Sequence, residues 1–97
     1  MPERLVRFTQ SFFDRLDDLL PDERGADGSP STTDFLLYDL PRIRDLLATD
    51  LERNTIPADL SEMRVYVGAG TLVRSVALYA IIAEDDAIEV IWLLIDG

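Results

Sequence analysis

Residues 63–95 form one nearly unbroken apolar tract, MRVYVGAGTLVRSVALYAIIAEDDAIEVIWLLI, cut only by Gly68-Ala69-Gly70 and by Glu84-Asp85-Asp86. Apolar runs bounded by glycine and acidic turns predict strands. Glu62 to Val67 alternates, with Met63, Val65 and Val67 on one side and Glu62, Arg64 and Tyr66 on the other. Thr71 to Ala83 predicts the next strand, Glu84-Asp85-Asp86 a hairpin turn, and Ala87 to Ile95 the last strand. Strict alternation divides that last strand into Ile88, Val90, Trp92, Leu94 and Glu89, Ile91, Leu93, Ile95. Both sets are apolar except at Glu89. A strand of this kind is covered on both sides, lies centrally in its sheet, or meets a partner.

The chain before this tract reads as helical, apart from a short strand over Arg4 to Thr9. Thr9 is a good N-cap for a helix from Gln10 to Leu20, in which Phe12, Phe13, Leu16, Leu19 and Leu20 form one stripe at helical period. Pro21 stops it, and residues 21–33 form a flexible loop rich in Pro, Gly, Asp and Ser. Any one of Ser31, Thr32, Thr33 and Asp34 can then cap a second helix with Leu36, Leu40, Ile43, Leu47 and Leu51 on one face. Pro41 interrupts it. Either the helix kinks there, which is the favoured reading, or Asp39 caps a fresh helix. The helix ends near Arg53-Asn54, just before Pro57. The expected architecture is a single α+β domain over residues 1–97, in the order β-α-α-β-β-β. Its antiparallel sheet carries the two N-terminal helices on one face.

Composition narrows the chemistry. Ninety-seven residues suffice for one core, and nineteen acids against nine bases, all arginine, give a net charge of −10. That charge repels polyphosphates, so direct nucleic-acid binding is disfavoured and a basic protein partner is the more natural one. The absence of histidine and cysteine removes serine–histidine and cysteine–histidine catalysis, disulfides and thiolate metal sites. Val67-Gly68-Ala69-Gly70 leads into a strand, not a helix, so it reads as a turn and not as part of a dinucleotide site. Asp22, Glu23 and Asp27 lack the spacing of a calcium loop. No cofactor and no metal are therefore expected. The start MPERLVRF lacks the apolar run of a signal peptide, and no apolar stretch approaches the roughly 20 residues of a membrane span. A soluble cytoplasmic protein is expected. Arg64, Tyr66, Arg74 and Tyr79 stand out: the arginines can grip a phosphate or a carboxylate partner, while Tyr79, like Trp92, reads as a packing residue of a half-buried sheet. The alternative is that the arginines offset nearby acids and cover apolar surface with their stems.

VRFTQSFFDRLDDLLP, from Val6 to Pro21, resembles the opening of RelE/ParE-type toxins of toxin–antitoxin systems, in which a strand ending in Phe-Thr leads into a helix with aromatic and leucine anchors. Arg64 to Ile95 resembles the family's C-terminal meander of a basic strand, a hydrophobic strand bearing a tyrosine, an acidic turn and a last apolar strand. The resemblance implies a toxin-like protein held by an antitoxin or other protein partner through its sheet. Members of the RelE type cut mRNA on the ribosome through basic residues and a tyrosine, whereas members of the ParE type inhibit gyrase. By position, Arg64, Arg74 and Tyr79 are the catalytic candidates that the resemblance allows. They stand for only part of a nuclease cluster, so protein binding is expected ahead of RNA cleavage. Tyr66, Ile91, Leu93 and Ile95 are the expected partner-binding residues. A non-enzymatic acidic module that pairs with itself as a homodimer, or binds a basic protein, is the alternative.

Overall fold

The computed structural model describes residues 4–23, 25, 26, 28, 30–58, 62–70 and 73–96. Thr9 anchors its first two elements. Its hydroxyl accepts the Phe12 N–H (3.3 Å), capping helix α1 (Gln10–Leu19). The same hydroxyl donates to the Val90 carbonyl (3.0 Å), which also accepts the Thr9 N–H (3.1 Å). One residue thus starts the helix and ties the preceding strand β1 (Val6–Phe8) to the last strand of the chain.

The second helical region begins with a capping box. Ser31 Oγ accepts the Asp34 N–H (3.2 Å) and Asp34 Oδ2 accepts the Ser31 N–H (2.9 Å). Helix α2 (Thr32–Asp34) passes through a π-helical turn (Phe35–Asp39) into α3 (Leu40–Thr49), and Asp50 caps a short α4 (Leu51–Asn54). The π-turn lies directly before Pro41, and in it the Leu40 N–H reaches back to the Phe35 carbonyl. A proline offers no N–H to an α-helical ladder, and the wider turn absorbs that gap. The single, interrupted helix is therefore the form adopted as far as Thr49, and Asp39 makes no side-chain cap. The extra residue changes the apolar phase. Phe35, five positions before Leu40, is fully buried, while Leu36 is only partly so.

A further strand, β2 (Ile56–Pro57), precedes β3 (Met63–Gly68), β4 (Ser75–Ile82) and β5 (Ile88–Asp96). The sequence suggested no strand at Pro57, but the edge of a sheet tolerates a residue without an N–H. The sheet order is β1-β5-β4-β3-β2. The expectation of an entirely antiparallel sheet is corrected at one pair, since β1 runs parallel to β5, with Val6 opposite Ile88 and Phe8 opposite Val90. The helical region carries the chain to the far edge, and three reversals bring the last strand back beside the first in the same sense. Thr71 and Leu72, the expected start of the fourth strand, lie outside the described residues, as does Asp27 of the acidic loop. The ends of that loop are pinned, because the Thr32 N–H donates to the Pro21 carbonyl (2.8 Å).

Phe12, Leu16, Phe35, Ile43 and Leu47 from the helices share one core with Tyr66, Val76, Leu78, Val90 and Leu93 from the sheet. The register explains which strand residues reach it. Tyr79 faces Trp92, but the next residue, Ala80, faces Val90, so Ile91 is a bulged extra residue on β5. The two faces expected for the last strand are corrected accordingly. Ile88, Val90, Leu93 and Ile95 turn toward the helices, whereas Glu89, Trp92 and Leu94 turn away.

Candidate functional site

The face of the sheet that turns away from the helices is built in rows set by the register. One row runs Ile56, Val65, Tyr79, Trp92, the next Val67, Ala77, Leu94, and a third Met63, Ile81, Glu89, Arg7. Of these three only the last carries charge, and a further pair, Ser75 opposite Asp96, ends the face on the other side. Ile56 and Val67 are 59% and 62% exposed, and Trp92 and Leu94 are each 43% exposed. An antiparallel sheet with one solvated face ordinarily alternates apolar with polar residues. Here the second face is apolar as well, and among the described residues no helix packs on it. A contiguous apolar patch of this kind marks an interaction surface.

Both edges of the sheet are blunted. At one side β2 is two residues long and ends in proline. At the other, β1 stops at Phe8, and the part of β5 beyond Val90 is guarded by α1. Arg15 Nε donates to the Leu93 carbonyl (3.2 Å), and its guanidinium carbon lies 4.6 Å from the centroid of the Trp92 ring. These devices oppose strand addition and leave the face itself open.

The face is bounded at one end by an ion cluster on the acidic turn. Arg7 makes a two-pronged contact with Asp85 (2.9 and 3.1 Å) and a third with Glu89 (3.3 Å). The hydrogen bonds from Arg7, followed by that from the Ala87 N–H, hold the Asp85 carboxyl below its ordinary value, and the Asp85 hydrogen bond pushes the Arg7 guanidinium up. Arg74 and Asp96 stand 4.0 Å apart at the other end. A small groove of about 110 Å³ opens beside the rows of β3, lined by Arg53, Asn54, Thr55, Ile56, Val65 and Val67.

The catalytic candidates do not converge. Arg64 and Tyr79 project from opposite faces, since Arg64 pairs with Ala80 and Tyr79 with Val65. The Arg64 guanidinium is committed to the end of α4. Its Nε donates to Thr55 Oγ1 (2.6 Å) and its Nη2 to the carbonyls of Thr55 (3.1 Å) and Glu52 (3.3 Å). Arg74 is largely exposed, at the turn before β4. A cavity of about 350 Å³ lies beside Arg64, between Glu52, Pro57, Glu62, Met63 and Ile82, and neither Arg74 nor Tyr79 lines it. Of the expected partner-binding residues, Tyr66 and Leu93 are buried in the core, while Ile91 and Ile95 are half-buried. Among the described residues no group of three or more acidic side chains is arranged to hold a metal ion.

Comparison with known proteins found no matching family model, no significantly similar curated protein and no significantly similar solved structure.

Sequence reasoning passed over Trp92, Leu94, Val67 and Ile56 as contact residues. Unbroken alternation groups Trp92 and Leu94 with Ile88 and Val90, and a one-residue bulge reverses their side. The signal available was a strand apolar on both faces, which pointed to the right strand but not to the exposed half of it.

Proposed function

We propose that this chain is a protein-binding, toxin-like component of a toxin–antitoxin pair, acting through contact with a protein and not through RNA cleavage. The observation that carries the protein-binding part is the apolar face built by Ile56, Val67, Tyr79, Trp92 and Leu94, which the helices leave uncovered. Support for the toxin-like part is the resemblance of Val6–Pro21 and Arg64–Ile95 to RelE/ParE-type toxins, together with an α+β chain in which helices fall between the first strand and the final meander. The reading leaves out ribonuclease chemistry because Arg64, Arg74 and Tyr79 do not share a site, and because a net charge of −10 opposes approach to RNA.

Tightly controlled expression of the chain alone, in a bacterial host, tests the reading. Growth arrest with cellular mRNA intact is expected, and Val67→Glu on the open face should relieve it. Normal growth on full expression overturns the toxin-like part. Arrest accompanied by mRNA cleavage overturns the exclusion of nuclease activity. A second reading, a non-enzymatic interaction module, is favoured by the same uncovered face and predicts normal growth.

A further inference from the structure

We infer that the occupant of the open sheet face is a second copy of this chain, docked face to face about a two-fold axis running along β4. The inference rests on the reading of this face as a protein-binding surface and names its partner.

Shape supplies the first argument. β4 is the middle strand of the five, with β5 on one side and β3 on the other. The projecting residues Trp92 and Leu94 lie on the β5 side, and the groove bordered by Arg53, Ile56, Val65 and Val67 lies on the β3 side. A rotation about an axis along β4 sets the β5 side of one copy against the β3 side of the other. Projection then meets groove twice, as a self-complementary interface requires. Two sheets stacked in this way pack roughly 10 Å apart with near-aligned strands, and their side chains interdigitate.

Charge supplies the second. The molecule carries −10, but its open face does not. Four arginines, Arg7, Arg15, Arg53 and Arg74, border it against three carboxylates, Asp85, Glu89 and Asp96. A basic partner drawn by the overall charge would find no acidic selectivity here. A second copy meets a nearly neutral rim and an apolar centre. Asp14, Asp17 and Asp18 are exposed on α1, Asp34 and Asp39 are buried, and Glu84 and Asp86 flank Asp85 on the acidic turn. The short, proline-ended β2 and the α1 guard on β5 oppose extending the sheet sideways, and only Tyr66–Gly68 of β3 run beyond β2.

The charge gives the assembly a distinctive salt response. Two copies each of −10 repel at long range, so screening should tighten self-association as NaCl rises from about 50 mM to about 500 mM. A basic partner would respond in the opposite sense.

Molar mass by light scattering, across a dilution series reaching about 200 µM and at both salt concentrations, tests this. A dimer that dissociates at lower protein concentration, and dissociates less readily at the higher salt, is expected. Leu94→Glu and Val67→Glu, on opposite sides of β4 and both at exposed positions, should each weaken it by about tenfold or more while circular dichroism stays unchanged. A wild-type monomer throughout the series overturns the inference, whether or not either variant folds. So does a dimer that neither folded variant weakens, or one that salt dissociates. If the wild type is monomeric but Val67→Glu still relieves growth arrest, the second copy is excluded and the protein-binding reading stands. If neither Val67→Glu nor Leu94→Glu changes mass or growth, both fail.

Discussion

Removing the Arg64 guanidinium would strip three acceptors at the end of α4, among them the hydroxyl of buried Thr55, which itself donates to the Leu51 carbonyl. Hydrogen bonds from a charged donor contribute about 1.5–3 kcal/mol when their partners lose access to water. Arg64→Ala should therefore lower stability by about 1–3 kcal/mol. The loss would be seen as a lower urea midpoint, with any growth phenotype following the fall in folded protein. A second residue-scale test lies at Gly68. A Cβ there would run into the Tyr66 hydroxyl and come within 2.8 Å of the ring carbon that bears it, and Tyr66 is nearly fully buried. Crowding of that kind costs about 1–3 kcal/mol. Gly68→Ala should be destabilising by that amount in chemical denaturation. Adding Tyr66→Phe, which deletes the nearest atom, should recover part of the loss. Arg64 and Gly68 were both conspicuous in the sequence. The sequence showed a basic residue and a turn-forming glycine, but not the acceptors that Arg64 meets, which come from the segment before β3, nor the Tyr66 rotamer that lays its ring along its own strand over Gly68.

At the scale of elements, most of the order was legible. The Thr9 cap, the Phe12 and Leu16 anchors of α1, a helix cap within residues 31–34 and the alternation in β3 all follow from local rules that tertiary contacts do not overrule, whereas Phe13, expected in the same stripe, is exposed. The two phase errors have a common cause. The π-turn at Phe35–Asp39 and the bulge at Ile91 each insert one residue into a regular period. Periodicity is read by counting, so a single insertion reassigns every residue beyond it. Phe35 takes the core position expected of Leu36, and Leu93 takes that expected of Trp92. Pro41 gave a local hint of the first insertion, whereas Ile91 has no composition that sets it apart. The parallel placement of β1 was equally hidden, since three residues carry no mark of direction. What holds that short strand is partly ionic, through Arg7 and Asp85. The folded Asp85 carboxyl titrates below its ordinary value of 3.8. Its contribution is therefore complete above that value and is lost as pH falls through the lower folded pKa. Arg7, raised from an already high value, stays charged throughout this window. Asp85→Asn should flatten the acid limb of the stability–pH profile below about pH 4 and leave its shape near neutrality unchanged, as followed by thermal melts at a series of pH values.

The whole molecule combines an acid excess with an apolar sheet. Nineteen acidic residues against nine arginines mean that even complete pairing of the arginines would leave ten carboxylates without a basic counterpart. The ion pairs that do form are at least partly exposed on one side, and exposed pairs contribute only about 0–1 kcal/mol each. Self-repulsion among the remaining acids acts against the compact state over distances that salt screens. Two effects of added NaCl therefore oppose one another: weaker ion pairs lower stability, and weaker repulsion raises it. The excess of unpaired acid decides the sign. The melting temperature of the Leu94→Glu variant, followed at a concentration where light scattering finds it monomeric, should rise as NaCl increases from about 20 mM to about 500 mM. Using that variant separates the intramolecular effect from any gain through association. A melting temperature that falls with salt would mean that the arginine pairs outweigh the acid repulsion. It would also remove the basis for expecting salt to favour the assembly of two such chains.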